Sequence, residues 1–200
     1  MISRMVSRIT LALKRNQIIP EDEIEIYQYG LEMIASTVVN CLIVVALGII
    51  MKELLAALLF FIMFAIIRSC SGGYHAGTYL KCNSIFAVCL LCVLFWVKYV
   101  GSFYSIWCHL IFITIYIMLV IKYAPVENPN KPLTPNQSKR CKLCCVIYGI
   151  ALTAVSLILW FGFDSIKYAV LIAVTLLSVA ISIAVSIILK EGEDREKDNS

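Results

Sequence analysis

The chain has 200 residues, 61% of them hydrophobic and 15% charged, with a formal net charge of +4 and a mean hydropathy of +0.89. Soluble domains hold roughly 45–50% apolar residues, so these values exclude a soluble globular fold. An integral membrane protein is expected, with the lipid bilayer and not nucleic acid as its environment.

The N-terminal stretch scatters Arg4, Arg8, Lys14 and Arg15 among apolar residues. Ile2, Met5, Val6, Ile9 and Leu13 recur at helical spacing, which predicts an amphipathic helix lying on an anionic membrane surface. No cleavable signal peptide is expected, because no continuous apolar core and no small-residue cleavage site follow. Six apolar blocks come next, near 33–51, 54–69, 85–100, 105–121, 146–161 and 168–189. The second is short for a hydrocarbon core of roughly 30 Å. Lys52 and Glu53 separate it from the first, implying a tight turn or one interrupted segment. The expected fold class is therefore all-α and polytopic, with about six membrane segments, some short or re-entrant, and an N-terminal interfacial helix. It forms one domain over 1–200: a cytoplasmic amphipathic start at 1–32, a membrane region at 33–189 and a cytoplasmic tail at 190–200.

Between the second and third blocks lies a polar, glycine-rich island, Arg68-Ser-Cys-Ser-Gly-Gly-Tyr-His75-Ala-Gly-Thr-Tyr-Leu-Lys-Cys82. Imidazole can take a proton from a thiol, and a thiolate is a strong nucleophile, so His75 and Cys82 are candidates for peptide or acyl-transfer chemistry. On an unbroken helix, residues seven apart lie about 10.5 Å apart along the axis, too far for direct proton transfer. Gly72, Gly73 and Gly77 give the chain freedom to depart from a helix. Arg68 and Lys81 add positive charge that favours a thiolate; each could equally be a flanking charge that anchors a membrane segment. His109 lies in an aromatic and aliphatic run and reads as structural.

Cys41, Cys89, Cys92 and Cys108 fall within apolar runs, where cysteine behaves as a small hydrophobe. Cys141, Cys144 and Cys145 make a CxxC without a partner pair or a nearby histidine, short of the four ligands of a closed zinc site. The loop at 123–137 carries Pro125, Pro129, Pro132 and Pro135 and is expected to be an extended, stiff connector. The tail from Glu191 lacks apolar residues and is expected to be disordered. With the N-terminus inside, all but Lys52, Lys98 and Lys167 of the 17 basic residues fall on the cytoplasmic side. Both termini and the island are thus expected there.

Two separated stretches carry a family resemblance. Arg68–Ala76 followed by Cys82, and Tyr123-Ala-Pro-Val-Glu-Asn-Pro-Asn-Lys-Pro132, resemble the accessory gene regulator B (AgrB) family, membrane peptidases that process quorum-sensing pro-peptides. Length, block order and the Pro-rich loop agree along the chain. The resemblance implies that His75 and Cys82 are the catalytic pair, with Arg68 and Gly73 in the same motif. It implies cleavage of an AgrD-type pro-peptide through an acyl-thioester on Cys82, followed by ring closure to a thiolactone, or a lactone where the peptide carries serine. No metal or cofactor is required, and the resemblance leaves room for a homodimer. From the residues alone, a small transporter or a peptide-binding scaffold stays open. Against a transporter, the apolar blocks hold no acidic residue beyond Glu32 at an edge and Glu53 at a break.

Overall fold

A computed structural model describes residues 2–16, 19–20, 23–72, 78–100, 104–126, 134–163 and 165–198, with the backbone alone at 2–5, 100 and 190–198. The chain is helical, with no strand among the described residues. Seven α-helices follow in order: α1 Ile2–Arg15, α2 Ile24–Ile50, α3 Leu54–Ser71, α4 Tyr79–Phe95, α5 Ile106–Tyr123, α6 Pro135–Phe161 and α7 Ile166–Asp198, with a π-helical turn at Trp96–Val100 closing α4. Helices α2 to α7 supply six stretches long and apolar enough to cross a membrane, since about 20 residues at 1.5 Å rise span the hydrocarbon core. The protein is a multi-pass membrane protein.

The helix at the centre is α7. Every residue from 169 to 176 is buried, and so are Val179, Ala180 and Ile183. A span that is apolar on all sides can face lipid or protein, and α3, α5 and α6 surround this one. The opposite extreme is α2, which buries only Ser36, Val44 and Gly48 and packs on α3, α4 and α1.

The break between the first two spans is a tight turn. Lys52 adopts φ 57°, and Glu53 N–H closes back on Gly48 O at 2.8 Å while Met51 N–H reaches Leu47 O at 2.9 Å. A left-handed residue just past a helix end turns the chain while satisfying its last carbonyls. A Cβ on Gly48 would sit 3.0 Å from Leu54 Cα, so only glycine lets the two helices close up this tightly. All three basic residues that sequence sets apart from the rest gather here, Lys52 within the turn and the other two against it. Lys98 Nζ donates to Met51 O at 2.7 Å, and Lys167 pairs with Glu53 at 2.6 Å.

Several boundaries differ from the sequence expectation. The first span starts at Ile24 and not near 33, the third at Tyr79 and not near 85, and the fifth at Pro135 and not near 146. Helical hydrogen bonding does not stop where hydropathy falls, so polar interfacial residues extend each helix. Pro135 is not part of a stiff connector. It is the first residue of α6, where a missing N–H costs nothing, behind a Thr134–Gln137 capping box. The acidic tail also departs from expectation, because its backbone continues α7 to Asp198. Glu and Lys are good helix formers, and an existing helix removes the nucleation cost.

Candidate functional site

The helix α3 ends at a position only glycine fits. Gly72 has φ 67° and ψ −143°, and a Cβ there would meet Val126 O at 2.1 Å. The close approach is a parallel bridge between Gly72 and Val126, in which Val126 N–H donates to Ser71 O at 2.9 Å. The two stretches that carry the family resemblance are 54 residues apart in sequence at this bridge. In the fold they are hydrogen-bonded to each other. The segment after α5 is therefore docked against the island, beyond the simple linker that proline content suggests.

Gly73 and His75 lie outside the described residues. The chain is described again at Thr78, which caps α4: its hydroxyl accepts Lys81 N–H at 3.3 Å, and Cys82 N–H donates to Thr78 O at 3.1 Å. Cys82 thus stands in the first turn of α4, at the end where unpaired N–H groups accommodate an anion. Because α4 begins at Tyr79, between His75 and Cys82, the spacing of an unbroken helix does not govern this pair. Cys82 is half-buried, whereas Lys81 is exposed.

Arg68, in the last turn of α3, reaches into the bundle. Its Nη1 donates to Ser182 Oγ on α7, and its guanidinium lies 5.7 Å from the centre of the Phe64 ring. The thiols of Cys82 and Cys89 are within its electrostatic reach, and Cys89 lies close to Ser178, one turn before Ser182. On the other side of α4, Ser36 of α2 donates to Asn83 Oδ1 at 2.7 Å, both residues being buried. Glu32 and Cys82 lie within electrostatic reach of Tyr79. The candidate nucleophile accordingly has a cation from α3 within electrostatic reach, that cation being held by a hydroxyl of α7, and its neighbour Asn83 is bonded to α2.

Glu32, Ser36, Tyr79, Asn83, Ser178 and Ser182 were not singled out by sequence. A signal existed for some: Glu32 and Ser36 are polar at helical spacing within a long apolar span, and Asn83 follows Cys82 directly. The serines of α7 carry no such signal, since a lone hydroxyl can satisfy itself on its own helix, as Ser178 does with Val174 O.

His109 is structural, as its surroundings suggested. It is fully buried, its Nε2 lies 3.1 Å from Ser156 Oγ, and the rings of Tyr104 and Trp160 enclose it. Burial also pushes the Tyr104 phenol up from its ordinary value. Cys145 packs between α3 and α5: its thiol faces Ile67 O at 3.9 Å, and its carbonyl accepts from Tyr116 at 3.0 Å. Among the described residues no group of three His, Cys, Asp or Glu could hold a metal ion.

Six apolar helices, one of which carries a half-buried thiol on its first turn within electrostatic reach of a cation, define a multi-pass membrane protein with a polar site at a helix end. A family model described as Accessory gene regulator B matches residues 6–185, and the chain belongs to that family. It is 29% identical over 126 residues to "Putative AgrB-like protein 2" of Clostridium perfringens (strain 13 / Type A), a match covering 59% of this chain and 58% of that protein. The same figures hold for "Putative AgrB-like protein" of Clostridium perfringens (strain SM101 / Type A), so the chain spans under two thirds of the length of these relatives. With "Accessory gene regulator protein B" of Staphylococcus intermedius it shares 25% identity over 160 residues, 79% of this chain and 83% of that one. No solved structure matches.

Proposed function

We propose that the protein is a membrane cysteine endopeptidase that cuts an AgrD-type quorum-sensing pro-peptide and closes the remaining part into a ring. The observation that carries this reading is the seat of Cys82: a half-buried thiol on the first turn of α4, within electrostatic reach of Arg68. Family membership supports the assignment of His75 as its base.

In the proposed reaction His75 takes the proton of Cys82, and the sulfur attacks the scissile carbonyl. The tetrahedral intermediate collapses, the C–N bond breaks, and His75 returns the proton to the departing amine. Arg68 is placed to offset negative charge developing beside the thiol. The carboxyl-terminal fragment leaves and the rest of the peptide remains as a thioester. An internal cysteine of the peptide then attacks that thioester, its proton passing through His75 to the Cys82 sulfur, and a thiolactone is released. Thioester exchange replaces like with like, while amide cleavage to a thioester is uphill, so departure of the cut fragment helps drive the sequence. Low water access at the bilayer edge protects the acyl-enzyme from hydrolysis.

The distribution of basic residues supports a cytoplasmic site, with both termini on that side and 1–200 acting as one membrane unit. The test is mass spectrometry of an AgrD-type pro-peptide incubated with the purified protein in liposomes. Cleavage with loss of water-equivalent mass in the ring fragment is expected. Unchanged peptide that nevertheless co-purifies would identify a binder or carrier instead. Sidedness is tested by labelling single engineered cysteines in whole cells with an impermeant thiol reagent. Positions in 123–137 should stay unlabelled, while 101–102 react.

A further inference from the structure

Arg68 stands in the last turn of α3, near a membrane edge, where a long cationic side chain ordinarily snorkels out to the lipid headgroups. Here it is turned inward. Its backbone is pinned, because Gly72 N–H donates to Arg68 O at 3.2 Å and Gly72 is itself bridged to Val126. Its guanidinium lies over the Phe64 ring of its own helix and donates to Ser182 Oγ of α7. An arginine side chain carries about 2 kcal/mol of rotamer entropy, so holding it in one place requires a rigid partner. The central helix supplies one: Val179, Ala180 and Ile183, on either side of Ser182, are all buried.

The hydroxyls one and two turns earlier on α7 behave differently. Ser178 and Thr175 donate to carbonyls of their own helix, Val174 O at 2.8 Å and Leu171 O at 2.7 Å. Ser182 Oγ accepts a hydrogen bond from another helix, and from the one cation within electrostatic reach of Cys82 that the family motif contains. Coulomb attraction falls with distance, so a guanidinium free to swing towards headgroup phosphates would favour a thiolate, or a developing oxyanion, less. Building on the peptidase reading above, we propose that Ser182 is a positioning residue, which fixes the guanidinium of Arg68 for its action on Cys82 and works only through Arg68. The central helix thereby contributes to the reaction without a group that touches the substrate.

The test is a double-mutant cycle with two readouts: cleavage of an AgrD-type pro-peptide, and alkylation of Cys82 by iodoacetamide at pH 7, followed by peptide mapping. Ser182→Ala should lower kcat about tenfold, as loss of a hydrogen bond to a charged group would, with KM within about twofold. It should also slow alkylation, whereas unfolding would speed alkylation of a half-buried thiol. Ser182→Thr, which keeps the hydroxyl, should restore both rates. In an Arg68→Ala background, Ser182→Ala should leave the alkylation rate within about 1.5-fold, because the group it positions is gone. Wild-type kcat in Ser182→Ala, a loss in Ser182→Thr equal to that in Ser182→Ala, or equal slowing of alkylation in both backgrounds would overturn the proposal. Failure of the wild-type protein to cut the peptide, with the alkylation cycle as expected, would instead refute the peptidase reading and leave the coupling of Ser182 to Arg68 standing.

Discussion

Cys82 and His109 occupy the same local position in two different helices. Each is the fourth residue of its helix, and each donates its N–H to the capping residue, Thr78 or Ser105. Each cap also accepts an N–H through its side chain. Their surroundings then diverge. His109 is sealed among Tyr104, Trp160 and Ser156. Cys82 is half-open, with Arg68 within electrostatic reach and the docked 124–126 segment at the adjoining end of α3. Helix position alone therefore does not make a residue reactive. Access and a nearby charge set the two positions apart, and these come from tertiary packing.

The sharpest break of that comparison is Cys82→Ala, which should reduce pro-peptide cleavage by about 10³-fold or more, since no other nucleophile takes its place. The remaining cysteines, replaced singly, should leave cleavage within a few-fold. Full activity in Cys82→Ala, measured by peptide mass spectrometry, would end the mechanism. Next in size is Gly72→Ala, which forces a side chain into a left-handed backbone and onto Val126 O. A loss of about 2–3 kcal/mol is expected, together with faster proteolysis of the 124–134 segment. Wild-type thermal stability in detergent would contradict the bridge.

Ser156→Ala probes the sealed end. It leaves the buried His109 ring short of its hydrogen bond and should cost about 1–3 kcal/mol, with cleavage within about threefold at a temperature where the protein stays folded. Selective loss of cleavage with unchanged stability would mean that the two ends are not functionally distinct. The smallest effect is expected for Lys167→Ala. Its partner Glu53 is mostly buried but Lys167 is exposed, and such pairs contribute about 0–1 kcal/mol. A larger fall in melting temperature would show that the α2–α3 turn depends on this tie to α7.

Much of this architecture is legible in composition, because a bilayer requires long apolar helices and hydropathy reports them directly. Helix ends are less legible: Glu25 and Tyr27 extend α2 even though they are not apolar enough to be counted in a span. Of the site, Arg68, Gly72 and Cys82 stand out as a polar island, and Cys82 proves to lie on a helix start that the capping threonine makes possible. Lys81 does not join them, being exposed. His75 and Gly73 fall outside the described residues. What one sequence does not disclose is pairing across the bundle. Gly72 meets Val126, Arg68 meets Ser182 and Asn83 meets Ser36 because helices far apart in the chain pack together. Gly72 illustrates the gap well. Its need for glycine comes from a neighbour 54 residues away as much as from its own turn.

The central claim is that Cys82 carries the peptide during the reaction, and its most direct test is to trap that intermediate. A pro-peptide whose internal cysteine is replaced by alanine can be cut but cannot close its ring through sulfur. Incubated with the protein and analysed by intact mass and peptide mapping, it should leave an adduct of the amino-terminal fragment on Cys82 that hydroxylamine removes. An adduct on another cysteine, or complete cleavage with no adduct on Cys82 at any time, would contradict the account.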